Sequence, residues 1–275
     1  MRNNSYCGFR VKPALLLGTD SIFDVVVMKL SSVCSIKPAV VTPYFDEDKS
    51  TLDRCIKSVA EQSYAAAHFL VADGKAQQDL AQFDIQHLIL PAPHRDYGNT
   101  PRCIGALSAI NRGFNAIFFL DADNWYESSH IEEAIRIKLD KVGTDVVASS
   151  RKIILPENVQ VSPDADEIAR SHVDTSCMAL FEEAFSILPL WATMTPELSL
   201  IGDRIIFGAM KRRGFKIEFT NKQTVNYSSN YKYHYRKAGL VVPSDAYELD
   251  FSVLSDFMPE RFKSWNGYYF RGNIG

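Results

Sequence analysis

Five consecutive residues, Ala116-Ile117-Phe118-Phe119-Leu120, are apolar at every position and run straight into Asp121-Ala122-Asp123-Asn124. A strand with one wet face alternates apolar and polar side chains, so a run without alternation is buried on both faces. That places it at the centre of a parallel sheet covered by helices, and it places two carboxylates at the sheet's edge.

The flanking sequence fits the same scheme. Ala39-Val40-Val41-Thr42 reads as a first strand stopping at Pro43, and His68 to Ala72 as a second, ending at Asp73-Gly74. His87-Leu88-Ile89-Leu90 is a third, closed by Pro91 and Pro93. Between the first two, Ser50 and Asp53 suggest a capping box, and Leu52, Cys55, Ile56, Val59 and Ala60 recur at helical spacing. Thr100-Pro101 reads as an N-cap followed by proline at the first helical position, with Ile104, Leu107 and Ile110 buried and Gly113 ending the helix. Downstream, Ser129 and Glu132 suggest another capping box on a helix carrying Ile131, Ala134, Ile135 and Leu139. Asp145 to Ala148, Met178 to Phe181 and Lys216 to Phe219 are further strands, and Ile205, Ile206, Ala209 and Met210 mark a helix capped by Gly214. Residues 155 to 170, rich in Pro, Asp and Glu, read as a surface excursion. The expected fold class is α/β, a mixed, mostly parallel sheet flanked by helices.

A chain of 275 residues suits one large domain with appendages. Residues 1–35 form an extension of unknown role, residues 36–236 the domain, and residues 237–275 a tail carrying Trp265, Tyr268, Tyr269 and Phe270. A net charge of -3 argues against nonspecific nucleic-acid binding, and the densest basic run, Lys211-Arg212-Arg213, suits the last turn of a helix. The five cysteines, Cys7, Cys34, Cys55, Cys103 and Cys177, include no CxxC pair, which fits a reducing cytoplasm. Cys177 reads as a small buried hydrophobe. No apolar stretch is long enough for a membrane span, since Asp20, Asp24 and Lys29 interrupt the amino-terminal candidate.

Ligands of open α/β sheets bind outside the carboxyl ends of the strands. Thr42-Pro43-Tyr44-Phe45-Asp46, Asp73-Gly74 and Asp121-Ala122-Asp123 occupy those ends here. Two carboxylates leaving a buried strand repel unless something positive sits between them. Mg²⁺ or Mn²⁺ meets that need and takes its other ligands from water and phosphates. The segment Arg95 to Arg102, with Gly98 before a helix amino terminus, offers free backbone N–H groups and two arginines to an anion; an ordinary capped helix is the alternative.

Val41-Thr42-Pro43-Tyr44, then Gln62-Ser63-Tyr64, Val71-Ala72-Asp73-Gly74, Arg102 on a helix and Phe119-Leu120-Asp121-Ala122-Asp123 together resemble the family 2 glycosyltransferases of GT-A fold. The match is good over residues 37–126 and looser to about residue 236. The resemblance implies a GT-A, Rossmann-like domain with a nucleotide-sugar half at 36–126 and an acceptor-side half at 127–236. It implies that Thr42, Pro43, Tyr44 and Asp46 contact the nucleoside and that Asp73 accepts a hydrogen bond from the base, usually uracil. Gly98, Arg102 and Ala122 join the nucleotide site. Asp121 is expected on ribose or metal, Asp123 on the metal, and His234 as a third ligand, with a packed histidine as the alternative. Asp203 stands where the family places its general base, but Gly202 replaces the usual preceding glutamate. Trp191 either walls the sugar pocket or belongs to the core.

The implied activity is inverting transfer of one sugar, probable donor UDP-linked, to a glycan, lipid-linked or protein acceptor, with no nucleic-acid partner. A Gln-x-x-Arg-Trp motif, carried by processive members, is missing. The implied location is cytoplasmic, with peripheral attachment to the inner face of a membrane left open. Alternatives are a retaining GT-A transferase and a silent nucleotide-sugar-binding scaffold. A sugar-phosphate nucleotidyltransferase would need a glycine-rich loop where Thr42 to Asp46 stands.

Overall fold

Val40 and Val41 lie opposite Phe118 and Phe119, all four without exposed surface, because strands β1 (Pro38–Tyr44) and β4 (Ala116–Phe119) run side by side in the middle of the sheet. This computed structural model describes residues 35–250 apart from Ala169, together with Ser252 and Leu254. The chain divides into two units, Met1–Ser35 and Ile36–Gly275, and every element below belongs to the second. The expectations for the amino-terminal extension, Cys7, Cys34 and the tail aromatics lie outside the described residues.

β2 (Ala67–Ala72) pairs in parallel with β1, and β3 (Gln86–Ile89) with β2, so the first four strands form the order β3-β2-β1-β4. Beyond β4 the sheet turns mixed. β8 (Met178–Phe181) runs antiparallel to β4 and to β6 (Val146–Leu155). β9 (Ile217–Ser228) is parallel to β6, and β5 (Trp125–Tyr126) closes the edge on β9. β7 (Val159–Val161) adds to β6. The architecture is the expected GT-A, Rossmann-like α/β fold. Among the described residues no helix is long and apolar enough to cross a membrane.

Helix α1 (Lys49–Ala60) covers one face of the first strands and α2 (Asn99–Asn111) the other. Gly105 lets α2 approach: a Cβ there would lie 2.5 Å from Val41 Cγ1 and 2.8 Å from Val71 Cγ2. Gly105→Ala therefore forces helix and sheet apart, at a cost of about 2 kcal/mol. A urea melt will show a lower midpoint with unchanged slope; an unchanged midpoint would contradict this seating.

Several local expectations change. β1 continues through Pro43, which pairs with Val71, because a proline ring suits extended backbone and removes only a donor. Asp48, not Ser50, caps α1, accepting from Thr51 N at 3.0 Å. At α3 (His130–Asp140) Ser129 makes no side-chain cap, and Glu132 instead accepts from Ser63 Oγ at 2.6 Å. Residues 155 to 170 are no mere excursion: they hold β7 and α4 (Ala165–Ile168), and they bury Asp164 and Asp166. Their polarity hid this, since each acid is paired: Asp164 with Lys237, and Asp166 with Arg204.

Candidate active site

The ends of β1, β2 and β4 open on one edge of the sheet. Ala122 is buried in a small cluster with Tyr44, Leu52 and Ile56, while Asp121 and Asp123 on either side keep part of their surface. The loop is tightly held. Ser176 Oγ accepts from Asp121 N at 3.2 Å and bonds Asn124 Nδ2 at 3.1 Å; Asn124 Oδ1 accepts from Ser228 N at 2.9 Å. Arg54 lies 4.1 Å over the Trp125 ring and donates to the Asp123 carbonyl at 2.7 Å.

The two acids differ in environment. Asp121 Oδ1 accepts from the buried Arg102 guanidinium at 2.6 Å. Among the described residues no ion pair reaches the Asp123 carboxylate, and its carboxyl is pushed up to about 7, first by burial, then by the charges of Asp121 and Glu47. A carboxylate raised in this way beside a second one has the chemistry of a divalent-cation site whose other ligands are oxygens. The pair fits such an ion.

Several residues expected at the nucleotide face elsewhere. Thr42 is fully buried and its Oγ1 bonds His68 Nε2 at 2.8 Å, and Tyr44 OH meets His87 Nε2 and Gln77 N, each at 2.8 Å. Strand alternation turns both under α1. Pro43, on the opposite face, packs where Gly98 leaves no room for a Cβ, 2.9 Å from its Cγ. Asp46 is exposed and paired with Lys75. Asp73 accepts from His94 N at 3.0 Å, Arg95 N at 3.2 Å and His94 Nδ1 at 2.8 Å, so its carboxylate anchors the following loop.

The amino terminus of α2 is not a free anion site, because Asp96 Oδ2 already accepts from Thr100 N at 2.8 Å. Thr100 is accordingly not the cap; Gly98, at φ 76°, is. His234 is buried and held by protein partners. Its Nδ1 bonds Ser229 Oγ at 2.6 Å and its Nε2 faces Asp164 at 3.6 Å. Among the described residues no three His, Cys, Asp or Glu side chains gather into a metal cluster, so the aspartates stand without it. Trp191, on the short helix α5 (Pro189–Ala192), is core, 1% exposed and 4.7 Å from Phe119.

Asp203 opens helix α6 (Gly202–Arg212). Burial alone would raise its carboxyl, but His172, with Nε2 2.6 Å from Oδ2, and Arg204 hold it well below the usual carboxylate range. A bridge links this helix to Asp121: Arg102 donates to Asn99 Oδ1 at 3.2 Å, and Asn99 packs on Gly202, whose Cβ would lie 2.7 Å from that oxygen. Gly202 thus has no space for the family's glutamate. Gly202→Ala must swing Asn99 off Arg102 and off the Ser199 carbonyl, which it now reaches at 3.2 Å, at a cost of about 1 kcal/mol. A lower melting temperature in Gly202→Ala, with no further loss when it is added to Asn99→Gly, will test this contact; additive losses would contradict it.

Sequence reasoning missed His172, Asp166, Glu167, Asp174 and Arg151, which form a buried charge network behind Asp203. Asp174 pairs with Arg151 at 2.7 Å and senses both Asp121 and Asp203, so the two ends of the site share one electrostatic hub.

The sequence pattern described as glycosyl transferase family 2 matches residues 39–176, half of the chain. The chain belongs to glycosyl transferase family 2. It is therefore a glycosyltransferase, and the matched span runs from β1 to Ser176, which bonds the aspartate loop from the turn before β8. Among curated proteins nothing matches. Solved structures similar to this family 2 chain include S. aureus TarS 1-349 in complex with UDP, at TM-score 0.58 and 14% identity, covering 87% of this chain and 75% of that one. TarS 1-349 in complex with UDP-GlcNAc is similar at TM-score 0.57 and 13% identity, over 87% and 76% of the two chains. At such identity the likeness shows the fold.

Proposed function

We propose that this chain transfers a single sugar from a UDP-linked donor to an acceptor hydroxyl, with inversion at the anomeric carbon, Asp121 and Asp123 holding a divalent cation and Asp203 acting as general base. The observation that carries the reading is the pair Asp121 and Asp123 at the end of the central strand, Asp121 held by Arg102 at 2.6 Å and Asp123 without an ion pair among the described residues. Family membership supports a nucleotide-sugar donor, and the UDP and UDP-GlcNAc bound to the TarS neighbours support uridine.

Asp121 and Asp123 would hold Mn²⁺ or Mg²⁺, which when bound neutralises charge on the departing nucleoside diphosphate. Arg102 orients Asp121 and Arg54 fixes the Asp123 backbone, so both carboxylates are set before substrate arrives. The acceptor oxygen attacks the anomeric carbon as its proton passes to Asp203, and the bond from that carbon to phosphate breaks with its electron pair on the leaving group. Asp203 is suited to stay ionised, because His172 and Arg204 hold its carboxyl low.

Product configuration is the test. With Mn²⁺ and a panel of UDP-sugars, NMR of the isolated glycoside will show the anomer opposite to the donor's. A retained configuration would remove Asp203 from the role of base, and absence of turnover with every donor would favour the silent scaffold.

A further inference from the structure

His172 is 5% exposed, and its Nε2 lies 2.6 Å from Asp203 Oδ2. Among the described residues its Nδ1 has no hydrogen-bond partner, and Asp166 Oδ2 and Glu167 Oε1 lie 3.6 Å and 4.0 Å away. The ring also lines a cavity of about 260 Å³ shared with Arg151, Glu167 and Asp174. A buried polar atom left without a partner costs about 1–3 kcal/mol. A side chain that only had to hold Asp203 would need one donor and no second nitrogen, so the pairing is poorly explained as packing.

The other Asp203 oxygen, Oδ1, accepts from Arg204 N at 2.7 Å. Both oxygens are thereby fixed, and the lone pairs that remain point where the two donors leave room. We propose that His172 is a positioning residue for the transfer reaction: through Nε2 it orients the Asp203 carboxylate toward the acceptor hydroxyl. The role rests on reading Asp203 as the base. The charged groups around the pair are Arg204 on α6, Asp166 and Glu167 on α4, Arg151 on β6 and Asp174 before β8. Two arginines and three acids therefore surround the pair, and His172 Nε2 is in direct contact with Asp203 Oδ2.

Removing the imidazole leaves burial to push the Asp203 carboxyl up, so the acidic limb of activity must move to higher pH. In H172Q, kcat falls about tenfold at neutral pH. The acidic limb of its kcat profile rises by at least about one pH unit, KM for the donor stays within about twofold, and H172K keeps the limb low. A merely structural histidine would lower the active fraction and leave the limb in place; that result overturns the proposal. If H172Q does not fold, NMR of the His172 ring in wild type and D203N reads the same contact, and an unchanged Nε2 chemical shift in D203N overturns it. D203N separates the two ideas. Retained turnover there removes the base and the positioning role together, whereas lost turnover with an unshifted limb in H172Q overturns the positioning role alone.

Discussion

Asp123→Asn lowers kcat/KM by about three orders of magnitude, the loss expected when several kcal/mol of leaving-group stabilisation disappears. The same substitution leaves the fold intact or strengthens it. Without a cation the Asp123 carboxyl sits at about 7, so its ionisation opposes folding. The stability this group contributes is complete below about pH 4, where folded and unfolded chains both hold the proton, and it is lost as pH rises. The loss runs from about pH 4 to about pH 7 and is on the order of 3 kcal/mol. Urea melts in a chelator at pH 5 and pH 8 will show that slope in the wild type and a flatter one in Asp123→Asn. Equal slopes in the two proteins would mean that Asp123 is not the strained acid.

Asp203→Asn lowers kcat by about 10³-fold with little change in donor affinity, the span usual for loss of a general base. Stability moves the other way from Asp123. His172 and Arg204 hold the Asp203 carboxyl low, so its contribution is present above the ordinary carboxylate pKa and is lost as pH falls through the depressed one. At neutral pH Asp203→Asn is therefore destabilised, while near pH 2 it approaches the wild type. Single-turnover kinetics with a saturating donor separate the chemical step from binding; an unchanged rate would point to another base.

The centre of the fold was legible because burial on both faces leaves a plain mark: Ala116 to Leu120 has no polar position, and its neighbours in the sheet follow from order. The aspartate loop was legible for the same reason, as an acidic pair directly after that strand. The hydrogen bonds of Thr42 and Tyr44 to His68, His87 and Gln77 were not foreseen, although period-two alternation held the clue. Both lie on the α1 side, where Cys55 and Leu52 already supply an apolar cover. The capping residues were wrong by a few positions because Asp48 and Asp96 reach forward to Thr51 N and Thr100 N, so that each helix begins before Ser50 or Thr100. What the sequence could not carry is the network of Arg151, Asp166, His172, Asp174 and Arg204. Paired charges brought together from β6, α4 and α6 leave no periodicity, and each alone looks like a solvated surface residue.

The central claim is that a nucleotide reaches this chain through a divalent cation on Asp121 and Asp123. Calorimetric titration of UDP into the protein, with Mn²⁺ and then with chelator, tests it most directly. Binding will tighten at least about tenfold with Mn²⁺, a gain of about 1.4 kcal/mol or more that Asp123→Asn abolishes. UDP bound equally well in chelator, or equally well by Asp123→Asn, would contradict it.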